Sequence, residues 1–355
     1  MSWRFRIMSD LKINNITNRG GDGGPVIAGV STVSSSAFII MPNGNTEIRG
    51  AASGTVLAMG GYADPSARNV IHKITIATTG DATDFGDTTS ARYSNPATAS
   101  ATRGFLLGGS PDTFTIDYVS FSSGGGSNDF GNLQLGVSAW GARANDSVRG
   151  FVLGGTHSPV TGPGPRISTI QAITMASTGD AVIFGDLTQV SRRGSGTSSP
   201  TRAIHYTGRD DPARTKDIQF FTMASGGNAV KFGEATSDRD SFIGGFSSGT
   251  RGVFGGGQGP SSPATTNRID FITIATEGNA QDFGDLTVKR MSGAGASSKV
   301  RGLFTGGYDY PGSVLNKDII EYVTIATTGD AIDFGDLIQA TRNHGACSDV
   351  NGGLG

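Results

Sequence analysis

The chain has 355 residues, 56 of them glycine, and a formal net charge of −2. This near-neutral charge gives no reason to expect a nucleic-acid partner. The single cysteine, Cys347, excludes an intrachain disulfide and a cysteine zinc cluster, and no apolar run reaches the roughly 18–20 residues that a membrane span requires. The length suits one large repeat domain or two ordinary domains.

The first 50 residues share no repeat with the rest of the chain. They contain two short β-like runs, GPVIAGVSTV (24–33) and SAFIIMPNG (36–44), behind a polar, glycine-rich stretch. A segment of this size with so little apolar content seldom folds alone, so we predict an extended β anchor that orders against another chain or against the rest of the protein. The opening MSWRFRIMSD lacks the long apolar run of a signal peptide, and Met8 is an alternative start to Met1.

From about residue 50 onward, one sequence pattern recurs six times. Residues 271–286 and 322–337 are identical at eleven of sixteen positions. The Phe-Gly pair of this motif follows each time a strand-like run that ends in glycine, such as RGLFTGG (301–307). A period near 50 residues is typical of propeller blades. The motif phenylalanines are Phe85, Phe130, Phe184, Phe232, Phe283 and Phe334.

Each repeat resolves into four short strands, as the last repeat illustrates. In its third strand, Val323 and Ile325 alternate with Thr324, which is the period of a half-buried strand. Between the third and fourth strands, a Gly-Asp or Gly-Asn pair supplies residues that tolerate the positive φ of a tight turn. Since no helical pattern intervenes, the sequence predicts an all-β fold, a β-propeller. The four predicted strands lie at 292–297, 301–307, 320–326 and 331–337.

The C-terminus predicts how the ring closes. Residues 342–352 read as another first strand with no further strands behind it, whereas the first repeat lacks a good first strand. We therefore predict that residues 343–349 form the innermost strand of blade one, which removes an open sheet edge. Six blades over residues 51–355 are expected, with a seventh assembled from both termini as the alternative, and residues 1–50 form the separate anchor.

The repeats resemble the kelch family, in which a strand ending in Gly-Gly precedes a strand with an aromatic or aliphatic pair and then a further aromatic residue. Here that residue is phenylalanine rather than tryptophan. The N-terminal SDLKINNITNRGGDGGPVIAGVSTVSSSAFIIMPNG, combined with repeats such as YVTIATTGDAIDFGDL, is similar to virion proteins of tailed bacteriophages, especially marine phages and cyanophages. That resemblance implies an N-terminal segment attached to other virion proteins and a propeller displayed outward.

Residues that could catalyse a reaction or bind a metal do not converge in the sequence. The histidines fall in different repeats without a carboxylate partner at ligand spacing. Asp330, Asp333 and Asp336 in the last repeat could suggest calcium, but Asp330 aligns with Asn279 and is better explained as a turn residue. The copper site of kelch-type galactose oxidases and the Asp boxes of sialidases have no counterpart. We expect no enzyme activity, no metal and no cofactor. The histidines are His72, His157, His205 and His344.

The loops of a four-stranded blade divide between two faces. One face carries the short, uniform hairpin turns. The other carries the loops between second and third strands, which differ in length and contain prolines, together with the crossings from one blade to the next. Variable loops on a rigid scaffold serve recognition, so this second face is the predicted binding face. Its candidate loop residues are Tyr62, His157, Tyr308 and Tyr310.

An arginine follows the motif phenylalanine by seven or eight residues in five of the six repeats. A ring of guanidinium groups at the mouth could grip an acidic or hydroxyl-rich glycan through forked hydrogen bonds. The interpretation we favour is a structural tie between blades, through backbone carbonyls or the aspartate of the Phe-Gly-Asp motif, because the residue recurs with the repeat. The arginines are Arg92, Arg192, Arg239, Arg290 and Arg342.

The expected function follows from the scaffold, the variable face and the resemblance. We expect a non-enzymatic phage virion protein of a tail fibre, baseplate or capsid fibre, whose propeller attaches to the host surface with carbohydrate as the ligand. It would be assembled in the host cytoplasm and lie on the particle surface as a homo-oligomer such as a trimer, without nucleic acid and without membrane insertion. The alternatives are a purely structural decoration or assembly protein and, less favoured, a cellular kelch interaction module or enzyme.

Overall fold

The computed structural model describes residues 54–354, apart from 112–113, 140, 158–163, 211–212, 260–264 and 311–314. The predicted anchor of residues 1–50 lies outside the described residues, as do parts of several variable loops. The described chain is all-β, and its one short 3-10 helix, Gly352–Leu354, follows the last strand.

The strands, in chain order, are β1 (Thr55–Met59), β2 (Tyr62–Ala63), β3 (Ser66–Ala67), β4 (Val70–Thr75), β5 (Thr83–Asp87), β6 (Ala97–Ala99), β7 (Arg103–Leu107), β8 (Thr115–Ser120), β9 (Asn128–Asn132), β10 (Val137–Ala139), β11 (Ala142–Asn145), β12 (Arg149–His157), β13 (Arg166–Thr174), β14 (Val182–Asp186), β15 (Ser195–Ser198), β16 (Arg202–Asp210), β17 (Ala213–Thr222), β18 (Val230–Glu234), β19 (Gly244–Ser247), β20 (Arg251–Gly255), β21 (Arg268–Thr273), β22 (Gln281–Asp285), β23 (Ala294–Ser297), β24 (Arg301–Thr305), β25 (Ile319–Thr324), β26 (Ile332–Asp336) and β27 (Gly345–Ser348).

Six antiparallel sheets form the blades of a closed ring. Blade 1 contains β27, β1, β4 and β5; blade 2 contains β6 to β9; blade 3 contains β10 to β14; blade 4 contains β15 to β18; blade 5 contains β19 to β22; and blade 6 contains β23 to β26. The innermost strands contact one another in turn, from β6 through β11, β15, β19 and β23 to β27 and back to β6. The described residues therefore form a six-bladed β-propeller, as the sequence predicts, and the seven-bladed alternative is wrong.

The ring is closed by strand β27, which pairs with β1. Leu57 lies opposite Cys347 in this antiparallel pair, and the backbone N–H of Thr55 donates to Oδ1 of Asp349 at 2.8 Å. The predicted closing strand at residues 343–349 is confirmed. Blade 1 thus joins residues from both ends of the described chain, and β1 has no open edge.

The hydrophobic core lies between neighbouring blades. Six clusters of buried side chains fill the six gaps; between blades 6 and 1, for example, Val56 and Ile74 pack with Leu303 and Phe334. The alternation predicted for β25 is confirmed, because Val323 is buried and Thr324 is exposed. Each buried aliphatic or aromatic side chain contributes about 1.5–3 kcal/mol, so the ring is stabilised at every blade interface.

The repeated motif joins each blade to the one before it. The backbone N–H groups of Gly80 and Ala82 in blade 1 donate to the carbonyl oxygens of Phe334 and Asp336 in blade 6, both at 2.8 Å. Oδ1 of Asp81 accepts the N–H of Asp336 at 3.0 Å. We call this contact the outer clasp: the Gly-Asp-Ala turn of one blade binds the Phe-Gly-Asp strand of the preceding blade. The residues equivalent to Asp81 are Asp180, Asn228, Asn279 and Asp330.

The outer clasp explains why glycine follows the motif phenylalanine. Gly335 has φ of +147°, and a Cβ atom there would lie 2.5 Å from the carbonyl carbon and oxygen of Gly80. No side chain fits between the two backbones. In the turn itself Gly80 takes the positive φ, whereas Asp81 does not. The glycine alone supplies the positive φ predicted for this turn, and the side chain of Asp81 serves as a hydrogen-bond acceptor of the clasp.

Candidate functional site

The crossings between blades and the loops between second and third strands lie on the same face, which we call the mouth face. Backbone hydrogen bonds connect the two kinds of segment: Arg92 N–H donates to the carbonyl of Arg68 at 3.2 Å, and Arg92 accepts from Gly61 N–H at 2.7 Å. A cavity of about 90 Å³ opens at this face where the innermost strands begin. Ligand pockets usually enclose about 300–1,000 Å³, so this cavity is too small to enclose a sugar.

Three of the five predicted arginines are fully buried, namely Arg92, Arg239 and Arg290. The guanidinium of Arg290 donates to the carbonyl oxygens of Gly306 at 2.6 Å and Ile319 at 3.0 Å, and to Glu321 at 2.5 Å, all in blade 6. Its own carbonyl accepts the N–H of Gly257 in blade 5 at 3.0 Å. Burial lowers the pKa of Arg290, and Glu321 opposes that shift. The residue ties two blades together and leaves little of its guanidinium for a ligand.

The carboxylate partner of the buried arginines comes from the third strand of the blade rather than from the Phe-Gly-Asp motif. Arg92 pairs with Asp117 at 2.7 Å, and Arg239 pairs with Asp270. The motif aspartate cannot take this part because it lies on the outermost strand, in the outer clasp. The third-strand position is at most 1% exposed in every blade. It is occupied by His72, Asp117, Gln171, Gln219, Asp270 and Glu321.

In blades 3 and 4 a glutamine at the same position binds the crossing without a charge. The amide of Gln171 accepts the N–H of Leu135 and donates to its carbonyl, both at 2.9 Å. Gln219 accepts the N–H of Thr188 at 2.8 Å. Asp or Glu therefore occurs where the crossing carries a buried arginine, and a neutral side chain occurs where it does not. This pairing between repeats is a sequence signal for the tie.

The other two predicted arginines, Arg192 and Arg342, stand one residue later in their crossings and reach the mouth face. The guanidinium carbon of Arg342 lies 4.9 Å from the ring centroids of both Tyr62 and Tyr308. It pairs with Asp64 at 3.3 Å. Such cation–π contacts hold the rings in place. The backbone of Arg192 pairs with that of Arg209 in blade 4.

Tyr93 also belongs to this group of side chains, because its ring contacts that of Tyr62. The rings of Tyr62 and Tyr93 meet edge to face, with centroids 5.4 Å apart, and the hydroxyl of Tyr62 donates to the carbonyl of Pro65 at 2.8 Å. Burial raises the pKa of Tyr308, so its hydroxyl is protonated at neutral pH. We call Tyr62, Tyr93, Tyr308 and Arg342 the tyrosine–arginine cluster.

The remaining candidate residues lie at different distances from this cluster along the ring. Tyr310 is 38% exposed, and its carbonyl accepts the N–H of Thr265 at 3.0 Å, which joins the loops of blades 5 and 6. His157 ends β12 in blade 3, with Nδ1 3.0 Å from the carbonyl oxygen of Gly136. The structure thus brings Tyr62, Tyr308 and Arg342 together and leaves His157 on a separate blade.

The other histidines and the cysteine are buried. Burial lowers the pKa of His72 and His205 to about 4 and that of His344 to about 3, so all three are neutral at pH 7. Burial also raises the pKa of the Cys347 thiol to about 12, and a protonated thiol is a poor nucleophile. Among the described residues, no group of three His, Cys, Asp or Glu side chains is placed to hold a metal ion.

No protein-family model matches the chain, and no curated protein matches it significantly. Within the described part of the chain, no helix has the length and apolarity needed to cross a membrane.

Proposed function

We propose that the chain is a non-enzymatic virion protein of a tailed phage of the cyanophage kind, and that its mouth face binds a carbohydrate on the host surface. Residues 1–50 would attach to other virion proteins and hold the propeller on the particle surface. The observation that carries the binding part of this proposal is the tyrosine–arginine cluster, in which Tyr62 and Tyr308 come from the variable loops of two different blades.

The chemistry of the cluster suits a sugar. Tyrosine rings offer flat apolar faces to the C–H groups of a pyranose and hydroxyls to its polar rim, and they lose little conformational entropy on binding. Arg342 and Tyr93 fix the ring orientations before a ligand arrives, which reduces the cost of ordering the site. Because the cavity at the axis is small, the glycan would lie across the surface of the mouth face.

Adsorption competition tests this proposal. The purified full chain is added to host cells before phage particles that carry it, and unadsorbed phage are counted. We expect the full chain to reduce adsorption, and the Tyr62→Ala/Tyr308→Ala double variant to need at least tenfold higher concentration for the same reduction. Ile332→Ala, a change on the exposed outer edge of blade 6, is the matched control and should compete like the unmodified chain.

A folded full chain that leaves adsorption unchanged would remove the attachment function. The second candidate, a decoration or assembly protein of the particle, would then stand, and one observation favours it: three of the five predicted arginines are consumed by ties between blades. Loss of particle assembly after deletion of the gene segment for the propeller would support this candidate.

A further inference from the structure

The cavity of about 90 Å³ at the mouth face, where the innermost strands begin, has an unusual charge balance. We call this cavity the head of the central channel. The residues that line it include two arginines, Arg143 and Arg193, and no carboxylate among those the structure describes. His344 also lines the cavity, but burial keeps it neutral by lowering its pKa to about 3. Burial lowers the pKa of Arg193 and the nearby Asp240 raises it, so the positive charge of the walls that has no acidic neighbour is that of Arg143.

The side chain of Arg143 reaches from blade 3 to blades 5 and 6. It belongs to β11 in blade 3, and its Nη2 group donates to the carbonyl oxygens of Gly245, at 3.3 Å, and Gly295, in blades 5 and 6. Burial lowers its pKa to about 10, and the one opposing influence comes from Cys347, whose thiol is protonated at neutral pH. Arg143 is therefore a half-buried cation with no anionic partner among the described residues, and a narrow opening lined by positive charge attracts anions.

Unused hydrogen-bonding groups surround the same cavity. Ser94 and Asn95 are 5% and 4% exposed, and the Ser94 hydroxyl and both amide atoms of Asn95 have no hydrogen-bond partner in the protein. Buried polar groups are nearly always satisfied. A hydroxyl and an amide NH₂ are donors that can turn toward a negative charge, so the unused groups and the uncompensated cation point to the same kind of occupant.

We infer that the head of the channel binds a small inorganic anion, between chloride and phosphate in size, against the guanidinium of Arg143 with Ser94 and Asn95 as further donors. The volume of about 90 Å³ admits an ion of this size with a few waters. The ion would neutralise Arg143 and link blades 2, 3, 5 and 6 at the axis. This site is separate from the tyrosine–arginine cluster and does not depend on the proposed carbohydrate binding.

The test replaces gluconate by chloride, and separately by phosphate, at constant ionic strength, and follows thermal unfolding of the full chain. Gluconate is too large for the cavity and serves as the inert anion. We expect the midpoint of unfolding to rise with chloride or phosphate in a saturable way. Arg143→Met should weaken the apparent affinity at least tenfold. Arg149→Met, on the opposite face and paired with Asp146, is the control that should keep the dependence.

Equal midpoints in gluconate, chloride and phosphate would overturn the inference, as would an Arg143→Met variant with unchanged anion dependence. If that variant does not fold, crystals of the unmodified protein in bromide decide the question. An anomalous peak within hydrogen-bonding reach of the Arg143 guanidinium supports the site, and its absence in bromide at saturating concentration refutes it.

Discussion

The outer edge of the ring and its inner crossings join the same six blades in different ways. At the edge, backbone atoms make most of the contact, and the glycines of the clasp recur in every blade because two main chains meet there. At the crossings, side chains make the contact: blades 2, 5 and 6 use a buried arginine with an acid, and blades 3 and 4 use a neutral glutamine. Where two backbones meet, only glycine fits. Where two side chains meet, either residue can vary, provided that the two remain compatible with each other.

The crossings also show the difference in free energy between a buried ion pair and a buried charge without a partner. A buried ion pair gains little over a neutral pair once desolvation is counted, but a buried charge left alone is strongly destabilising. The crossings can therefore change from charged to neutral only when both members change together, which is the pattern across the six blades.

Breaking one inner pair should have the largest effect. Arg290→Met leaves Glu321 buried without its partner, and we expect a loss of about 3–5 kcal/mol in the free energy of unfolding. The double variant Arg290→Met/Glu321→Gln approaches the neutral arrangement of blade 4 and should recover at least half of that loss. Denaturant unfolding of both variants measures the difference. A double variant no more stable than the single one would contradict the paired arrangement.

Blade 1 has the buried, neutral His72 at the third-strand position, and this residue offers a test by pH. The folded pKa of His72 is about 4, below its usual value of 6.5, so the unfolded chain binds a proton first as the pH falls. The contribution of His72 is fully present above pH 6.5 and is lost between pH 6.5 and about 4, by about 3 kcal/mol in total. His72→Gln, which copies blades 3 and 4, should flatten the pH dependence of stability by one proton.

Asp349 has a raised pKa of about 6 and acts in the opposite direction, stabilising the fold as the pH falls. Asp349 is present in both the unmodified protein and the His72→Gln variant, so its effect cancels when their stability curves are compared. Stability curves that remain parallel from pH 7 to pH 4 would show that His72 is not the group responsible.

The outer clasp can be tested with two matched glycines. Gly335 and Gly329 have φ of +147° and +157°, but only at Gly335 would a Cβ meet the backbone of the neighbouring blade. We expect Gly335→Ala to destabilise the protein by about 1–3 kcal/mol more than Gly329→Ala does. Thermal unfolding of the two variants gives the comparison directly. Equal losses would mean that backbone strain, not the contact between blades, restricts the motif.

The smallest effect should come from the acceptor of the clasp. Oδ1 of Asp330 accepts the N–H of Asp285 at 2.9 Å, and Asp330→Ala should cost about 1 kcal/mol. Asp333 is exposed on the same hairpin. Asp333→Ala should therefore change stability by less than about 0.5 kcal/mol. If the two variants unfold alike, the Asx hydrogen bond contributes nothing measurable.

The repeats made the blades and their closure predictable, because six copies in one chain act as their own comparison. Which of the crossing arginines are buried was harder to predict. Arg92, Arg239 and Arg290 follow the motif phenylalanine by seven residues and are buried, while Arg192 and Arg342 follow it by eight and reach the surface. A difference of one residue in a crossing changes the direction of the side chain, and the predicted ring grouped both spacings together.

The third-strand acids and Arg143 are marked less clearly in the sequence. The third-strand acids could have been found from their pairing with the crossing arginines, since Asp117, Asp270 and Glu321 occur in the three blades with a buried arginine. Arg143 occurs in a single blade, and the position of its guanidinium depends on the carbonyl groups of blades 5 and 6, which are distant in sequence. No local pattern marks such a residue, and the three-dimensional ring is needed to identify it.

The closing strand also sets an order of events during synthesis. β1 is the first described strand to leave the ribosome, and its partner β27 is the last. Until residues 345–348 emerge, blade 1 has three strands and an unprotected apolar edge, and such edges invite pairing with other chains. Contacts so far apart in sequence also slow folding. β1 therefore pairs only with β4 until residues 345–348 have emerged from the ribosome.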